Sequence, residues 1–96
     1  MVFTTGGTGI GPKDITPDVV KTLLTKEIPG IMELIRVKYG LEKANALVSR
    51  GIAGVMGKTL IYTLPGSPKA VNEYCSEIFK TIEHSLYMLN ELDLHG

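Results

Sequence analysis

Hydrophobic positions have strand-like spacing in three short segments of the chain. Residues 1–5, Met-Val-Phe-Thr-Thr, are mostly apolar, aromatic or β-branched, so they predict a strand. Because a strand this apolar is usually buried, we expect it in the centre of a sheet with a neighbour on each side. Residues 51–56 predict a weak strand, in which Gly54 allows a close backbone approach. Residues 59–64, Thr-Leu-Ile-Tyr-Thr-Leu, predict a clearer one.

Helical spacing dominates the last third of the chain. Ser67 as N-cap and Pro68 in the first helical position announce a long helix. Its apolar residues keep the i, i+3, i+4, i+7 spacing of a buried stripe. They are Val71, Tyr74, Cys75, Ile78, Phe79, Ile82, Leu86, Leu89 and Leu92. The polar residues expected mostly on the solvated side are Lys69, Asn72, Glu73, Ser76, Glu77, Lys80, Glu83 and His84.

Three shorter helices are predicted between the first two strands. Thr16 as N-cap, followed by Pro17-Asp18 in the first turn, announces the first of them. Pro29-Gly30 starts the second, with Gly40 as its C-cap, and residues 42–48 predict a short third. The side chains expected to face inward are Val19, Val20, Leu23 and Leu24 in the first helix, and Ile31, Leu34 and Ile35 in the second.

The order of these elements indicates a single α/β domain over residues 1–96 with at least partly parallel strands. A chain of 96 residues that is 44% hydrophobic and 21% charged is typical of one globular core. Ten Lys and Arg balance ten Asp and Glu, which disfavours a nucleic-acid-binding domain. No apolar run approaches the roughly 20 residues of a membrane span, and residues 1–12 lack a signal-peptide pattern, so we expect a cytoplasmic protein. Cys75 is the single cysteine, which excludes an intrachain disulfide and a cysteine zinc cluster and suggests a small core residue.

Two glycine-rich loops follow predicted strands and precede predicted helices. We call residues 4–16 the first glycine loop and residues 64–68 the second glycine loop. Residues 1–69 carry nine basic and five acidic side chains, so the part of the chain with both loops has a net positive charge. Glycine lets backbone N–H groups close on an anion, and a helix N-terminus adds partial positive charge. The alternative, that such loops are merely tight turns, is the stronger one for the second glycine loop taken alone.

Standard phosphate-binding motifs do not account for these loops. The glycines at positions 7, 9 and 11 are not the dinucleotide fingerprint, because Pro12 stands where its last glycine belongs. The triplet Gly57-Lys58-Thr59 resembles the end of a P-loop, but Ile52 replaces the upstream glycine that a P-loop requires. These signatures therefore exclude an NAD-binding protein of this type and a P-loop protein.

The first glycine loop is instead typical of one family. Residues 4–18, Thr-Thr-Gly-Gly-Thr-Gly-Ile-Gly-Pro-Lys-Asp-Ile-Thr-Pro-Asp, resemble the signature of the MogA/MoaB-type molybdenum cofactor biosynthesis proteins. The further landmarks that resemble the family's are Pro29-Gly30 with Glu33 and Arg36, Ser49-Arg50 followed by Ala53-Gly54, and residues 64–68. The resemblance spans about two thirds of the chain. It implies a three-layer α/β/α molybdopterin-binding fold, with an incomplete sheet in this chain.

The resemblance also implies a function in molybdenum cofactor biosynthesis. Members bind molybdopterin, a phosphorylated dithiolene pterin, and the best-characterised ones are adenylyltransferases that adenylylate it with Mg-ATP and release pyrophosphate. The implied partners are molybdopterin and ATP, with Mg²⁺ as cofactor, in a homo-oligomer that is a trimer or hexamer. No protein-bound transition metal, nucleic acid or membrane is expected. A non-catalytic molybdopterin-binding module and an inactive fragment of such an enzyme are the alternatives.

The family motif assigns the candidate site residues. Asp14 is the expected catalytic residue, acting through Mg²⁺, which usually takes one or two carboxylates together with waters and substrate phosphates. The residues expected to bind substrate phosphates are Thr5, Gly6, Gly7, Thr8, Gly9, Pro65, Gly66 and Ser67. Further candidates are Lys13, Glu33, Arg36, Ser49 and Arg50. We expect neither His84 nor His95 to bind a metal, because neither has a ligand partner at useful spacing.

Several candidates have structural interpretations that the sequence leaves open. Asp14 is also a common turn residue, and Asp18 suits the dipole of the first helix. Glu33 and Arg36 stand at i and i+3, where they can form an exposed ion pair. Arg50 can either reach a phosphate or end a helix favourably.

The chain departs from the family pattern at its start. The family domain has a sizeable part before the first glycine loop, with further strands, a helix and additional active-site carboxylates. We therefore expect this chain to be a truncated product or to self-associate, since unpaired strand edges and apolar surface favour association.

Overall fold

The computed structural model of the chain describes residues 1–95, and the side chains of residues 1–90. Its elements in chain order are β1 Val2–Thr5, α1 Thr16–Leu23, β2 Lys26–Glu27, α2 Pro29–Gly40, a 3₁₀ helix Ala44–Val48, β3 Ala53–Met56, β4 Thr59–Leu64 and α3 Pro68–His95. The strand over residues 59–64 has the predicted bounds. The predictions for Leu92 and His95 concern side chains outside the described part.

Four strands form one mixed sheet in the order β1-β4-β3-β2. β1 and β4 run parallel, as predicted, whereas the β2–β3 and β3–β4 pairs are antiparallel. A two-residue turn at Gly57-Lys58 joins β3 to β4, and Gly57 has a φ of 62° that suits glycine. The prediction that residues 1–5 form a central strand is wrong for the described sheet, because β4 is the only strand paired with β1 there. β2 was not predicted, since two exposed polar residues carry no strand pattern.

Helices pack on both faces of the sheet, which confirms the three-layer arrangement. One face carries the main core, composed of Met32 and Ile35 from α2, Ala53, Val55, Leu60, Tyr62 and Leu64 from the sheet, and Tyr74 and Ile78 from α3. Side chains alternate along a strand, so Ile61 and Thr63 point to the opposite face, where α1 lies against β4. On that face a Cβ at Gly54 would lie 2.5 Å from Leu24 Cδ1, which confirms the close approach expected at this glycine.

The short helices differ from their predictions in detail. Ile15 is the N-cap of α1 in place of Thr16, which is already helical. Only Val20 of the predicted α1 stripe is fully buried; Val19 and Leu23 are exposed, because α1 covers the sheet with a single narrow face. Gly40, expected as the C-cap of α2, is its last helical residue, and Leu41 is the C-cap. Within α2, Met32 is buried where Leu34 was expected, and Leu34 is 55% exposed. The buried face of α2 is thus rotated from the predicted one toward β3 and α3.

The buried face of α3 also differs from the predicted stripe. Glu77 was expected in solvent but is only 5% exposed, and its carboxylate accepts hydrogen bonds from Lys38 of α2 and Lys80 of α3. These two ammonium groups hold the pKa of Glu77 below its ordinary value. Phe79 and Leu86, both predicted on the buried stripe, are 60% and 39% exposed. Cys75 is half-buried against the core, as expected. The buried face of α3 differs from the predicted stripe because α3 packs against α2 as well as against the sheet.

Candidate functional site

The two glycine loops lie side by side at one edge of the sheet. Because β1 and β4 are parallel, their carboxyl ends meet there. The Gly6 N–H donates a hydrogen bond to the Leu64 carbonyl at 2.8 Å. A Cβ at Gly66 would lie 3.5 Å from the Cα of Gly6, so the backbones of the two loops are in near contact. A ligand bound at this edge can therefore touch both loops.

Two consecutive left-handed glycines shape the start of the first glycine loop. Gly6 has a φ of 88° and Gly7 a φ of 71°, values that other residues rarely adopt. A Cβ at Gly7 would also lie 2.2 Å from Thr16 Oγ1, at the start of α1. The Thr16 N–H donates to the Gly7 carbonyl at 3.1 Å, which ties the loop to the helix. The loop can thus turn sharply only with glycine at both positions.

Hydrogen bonding in this loop is strongly one-sided. The carbonyls of Gly7, Thr8 and Gly9 all accept hydrogen bonds, from Thr16 N, Arg50 N and Arg50 Nε at 3.1, 2.8 and 2.7 Å. The N–H groups of Gly7, Thr8, Gly9 and Ile10 have no acceptor among the described residues. Successive free N–H groups in a turn are the arrangement that binds anions. Residues 7–9 therefore offer their N–H donors to a ligand while their carbonyls are occupied by the protein.

Asp14 closes a tight turn beside these free donors. Its N–H donates to the Gly11 carbonyl at 3.0 Å, and its Oδ2 accepts from the Gly11 N–H at 2.9 Å. A Cβ at Gly9 or at Gly11 would lie 2.9 Å from Oδ2, so both glycines leave room for the carboxylate. Oδ1 has no hydrogen bond within the described part of the chain. The turn interpretation is thus correct for one carboxylate oxygen, while the other stays free to bind a ligand.

Arg50 is the main side chain that holds the loop in place. Its guanidinium donates to the carbonyls of Gly9 and Asp14 and forms a two-pronged pair with the Asp18 carboxylate at 3.0 and 3.1 Å. This pair lowers the pKa of Asp18, mainly through the hydrogen bonds from Arg50. Four of the five guanidinium N–H donors are therefore engaged by the protein.

The segment that carries Arg50 is itself anchored. Arg36 Nη1 donates to the carbonyls of Ser49 and Gly51, at 3.2 and 3.0 Å. The Ser49 hydroxyl accepts a hydrogen bond at 3.2 Å from Tyr74, which is buried in the core. The structure thus places two of the further candidates, Arg36 and Ser49, at the segment whose Arg50 holds the first glycine loop.

The second glycine loop leads directly into α3. Ser67 Oγ accepts from the Ala70 N–H at 3.2 Å, which confirms its prediction as N-cap. A cavity of about 220 Å³ opens beside this loop. Residues that line it include Tyr39, Lys43, Asn45, Ser49, Ser67, Glu73 and Tyr74. Lys43, Asn45 and Glu73 were not predicted for the site, because they come from the 3₁₀ region and α3 and carry no local motif.

Comparisons with known proteins identify the family. The family model described as "Probable molybdopterin binding domain" matches residues 1–84. The chain belongs to this family.

Individual relatives agree with the family assignment. Gephyrin of Dictyostelium discoideum is 42% identical over 91 residues, which cover 94% of this chain and 12% of that protein. Molybdopterin adenylyltransferase of Helicobacter pylori is 38% identical over 89 residues, 93% of this chain and 51% of that protein. The solved Mog protein from Mycobacterium ulcerans superposes with a TM-score of 0.87 at 37% identity, over 92% of this chain and 59% of that one. The chain thus spans about half the length of these two bacterial relatives.

Of the remaining candidates, Thr5, Thr8 and Lys13 belong to the first glycine loop, whereas Glu33 belongs to α2. Thr5 and Lys13 are exposed at the loop, and Thr8 is buried within it. Glu33 is exposed on α2, and within the described residues it forms no ion pair with Arg36, whose guanidinium donates instead to the Ser49 and Gly51 carbonyls. A larger cavity, of about 400 Å³, lies elsewhere, between β2, the start of α2 and the second half of α3. Its lining is mostly apolar and includes Ile28, Ile31, Val55, Leu60, Met88 and Leu89.

Two kinds of feature are absent from the described residues. No group of three or more His, Cys, Asp or Glu side chains in this part of the chain is placed to hold a metal ion. Among the helices described here, none combines the length and apolar character needed to cross a membrane.

Proposed function

We propose that the chain binds the phosphate groups of molybdopterin and ATP on its two glycine loops and acts as a molybdopterin adenylyltransferase-type protein. The observation that carries this proposal is the one-sided hydrogen bonding of the first glycine loop. The free N–H groups of residues 7–10 suit phosphate oxygens, and the N-terminus of α3 adds partial positive charge beside Ser67. The family membership and the adenylyltransferase named among the relatives support the substrate class.

Asp14 is the residue we propose for catalysis. Asp18 lies near it but is engaged by Arg50, so Asp14 is the carboxylate at this loop with a free oxygen. One free carboxylate oxygen fits Mg²⁺, which usually binds through one or two carboxylates and completes its shell with substrate phosphates and water. When bound there, the ion would neutralise charge on the nucleotide phosphates. Transition-metal binding is not part of this proposal.

Adenylyl transfer joins a phosphate oxygen of molybdopterin to the α-phosphorus of ATP and breaks the bond to pyrophosphate, which leaves. The protein's contribution to such a reaction is mainly to position the two phosphates and to stabilise their charge. The two adjoining loops suit this task, because each can hold one phosphate group within reach of the other. We place the molybdopterin and nucleotide on these loops without assigning either to one of them.

A non-catalytic binding module is the second candidate. The chain covers 51% of the bacterial adenylyltransferase, and Asp14 alone offers a free carboxylate at the first glycine loop. In a binding module the loops would hold molybdopterin without transfer. In either case we propose a cytoplasmic homo-oligomer, a trimer or hexamer as the family resemblance implies. Exposed apolar side chains support association: they are Leu34 and Val37 on α2 and Leu41 directly after it, which is 85% exposed.

Thermal unfolding with and without Mg-ATP tests the proposed binding. A ligand at a hundred times its Kd stabilises the folded state by about 2.7 kcal/mol, a shift that is readily measured. We expect this shift with Mg-ATP and a smaller one with ATP alone. A cooperative transition that neither ligand moves would contradict nucleotide binding by this chain.

The variant Asp14→Asn separates the two candidates. In an adenylyltransferase it should abolish magnesium-dependent release of pyrophosphate and leave molybdopterin binding largely intact. The wild-type chain must first show that turnover for the enzyme proposal to stand. Molybdopterin binding without turnover, unchanged in Asp14→Asn, would identify a binding module.

A further inference from the structure

Arg50 holds three carbonyls of the first glycine loop at once. Its backbone N–H donates to the Thr8 carbonyl at 2.8 Å, and its Nε donates to the Gly9 carbonyl at 2.7 Å. Its Nη2 donates to the carbonyl of Asp14, at the other end of the loop. Arg50 stands 41 residues after Gly9 in sequence, so these bonds are tertiary contacts. One residue therefore spans the loop from Thr8 to Asp14.

Arg50 is fixed from both sides. The Asp18 carboxylate in the first turn of α1 binds both terminal nitrogens of its guanidinium, which sets the plane of the group. Arg36 of α2 binds the carbonyls of Ser49 and Gly51, the two neighbours of Arg50 in the chain. The glycine loop is thus connected through Arg50 to α1 and α2.

We propose that Arg50 is a positioning residue that sets the hydrogen-bonding polarity of the first glycine loop. By occupying the Thr8 and Gly9 carbonyls it turns the acceptors of this segment toward the protein and leaves the neighbouring N–H groups to the ligand. Arg50 touches no phosphate in this arrangement. This inference rests on the proposed function, because it assigns Arg50 its role in phosphate binding at the same loop.

A direct phosphate contact by Arg50 is the competing explanation, and the geometry opposes it. Four guanidinium donors are engaged, and a bidentate phosphate contact would require the guanidinium to release Asp18 or a loop carbonyl. The nearby Asp18 carboxylate also neutralises the charge of Arg50, so long-range attraction of an anion by this arginine is weak. The two explanations differ for the ligand-free protein, because Arg50→Lys should change the amides of residues 7–10 without ligand only if Arg50 positions the loop.

The test is the affinity of the 96-residue chain for pyrophosphate, measured by calorimetry in three variants. Arg50→Lys keeps the charge but cannot form the planar fork, and we expect it to weaken binding by about tenfold or more. Asp18→Asn keeps a hydrogen-bond acceptor and should weaken binding less. Lys26→Ala removes a positive charge from β2, at the sheet edge opposite β1, and should bind like the wild type. Unchanged binding by Arg50→Lys would overturn the proposal.

Amide exchange and chemical shifts, measured by nuclear magnetic resonance, distinguish positioning from a general loss of structure. In Arg50→Lys, the amides of residues 7–10 should shift and exchange faster, while those of β4 keep their wild-type protection. Equal loss of protection in β4 would show a merely structural role and contradict the inference. If the wild type binds neither pyrophosphate nor Mg-ATP, the proposed function fails. The loop amides then decide whether Arg50 sets the loop conformation, and unchanged amides in Arg50→Lys would refute that too.

Discussion

Replacing Tyr62 with phenylalanine should stabilise this protein. Tyr62 of β4 is fully buried in the main core, and its hydroxyl oxygen has no hydrogen-bond partner among the described residues. The same burial raises the pKa of this phenol above its ordinary value, because the charged form would lose its hydration. The substitution removes the hydroxyl and leaves the ring, which stacks on Phe3 with a centroid distance of 5.2 Å.

The expected magnitude follows from the cost of a buried polar group without a partner. That cost is about 1–3 kcal/mol, and removing the hydroxyl should recover part of it, so we expect a gain of about 1 kcal/mol. For a domain of this size, about 1 kcal/mol corresponds to a rise in melting temperature of roughly 4–8 °C. The small space left by the oxygen works against this gain.

Tyr74→Phe is the matched control. Tyr74 is also buried, but its hydroxyl donates a hydrogen bond to Ser49 Oγ at 3.2 Å. The same chemical change should therefore destabilise the protein by about 1 kcal/mol. Urea unfolding followed by circular dichroism gives both free energies of unfolding. A loss of stability in Tyr62→Phe similar to that in Tyr74→Phe would refute the reasoning, because it would mean that both hydroxyls are hydrogen-bonded.

Two further predictions concern the first glycine loop and the buried ion pair of α3. Gly9→Ala places a methyl group against Asp14 Oδ2, so it should reduce the thermal shift with Mg-ATP while changing the ligand-free melting temperature little. Gly30 lies in α2, and a Cβ at this position would meet nothing within 4 Å. Gly30→Ala should therefore stabilise the ligand-free protein by up to about 1 kcal/mol and leave the thermal shift with Mg-ATP intact. Glu77 has a folded pKa below its ordinary 4.5, so its contribution is present above about pH 4.5 and is lost as the pH falls through the folded value. Urea midpoints of the wild type and Glu77→Gln should therefore converge on acidification, and a difference that stays constant until the wild type itself unfolds in acid would contradict this.

Several features of the fold follow from local properties of the sequence. The apolar and β-branched residues 59–64 form β4 with the predicted bounds, and Ser67 caps α3 through its own side chain. The family signature in residues 4–18 identified the family that the comparisons then showed. These features depend on neighbours within a few positions in the chain, where rotamer preference, capping and glycine conformations act directly.

Only the tertiary structure decided which distant groups meet. Asp18 was expected to serve the dipole of α1, yet it pairs with Arg50, which lies 32 residues later in the chain. Glu77 was expected in solvent, but α2 packs over it and supplies Lys38. No local pattern encodes such pairs, because they depend on the order of the strands and on the faces that the helices turn to the sheet. Periodicity shows that a helix has an apolar side, but the neighbours it packs against determine how much of its surface is buried.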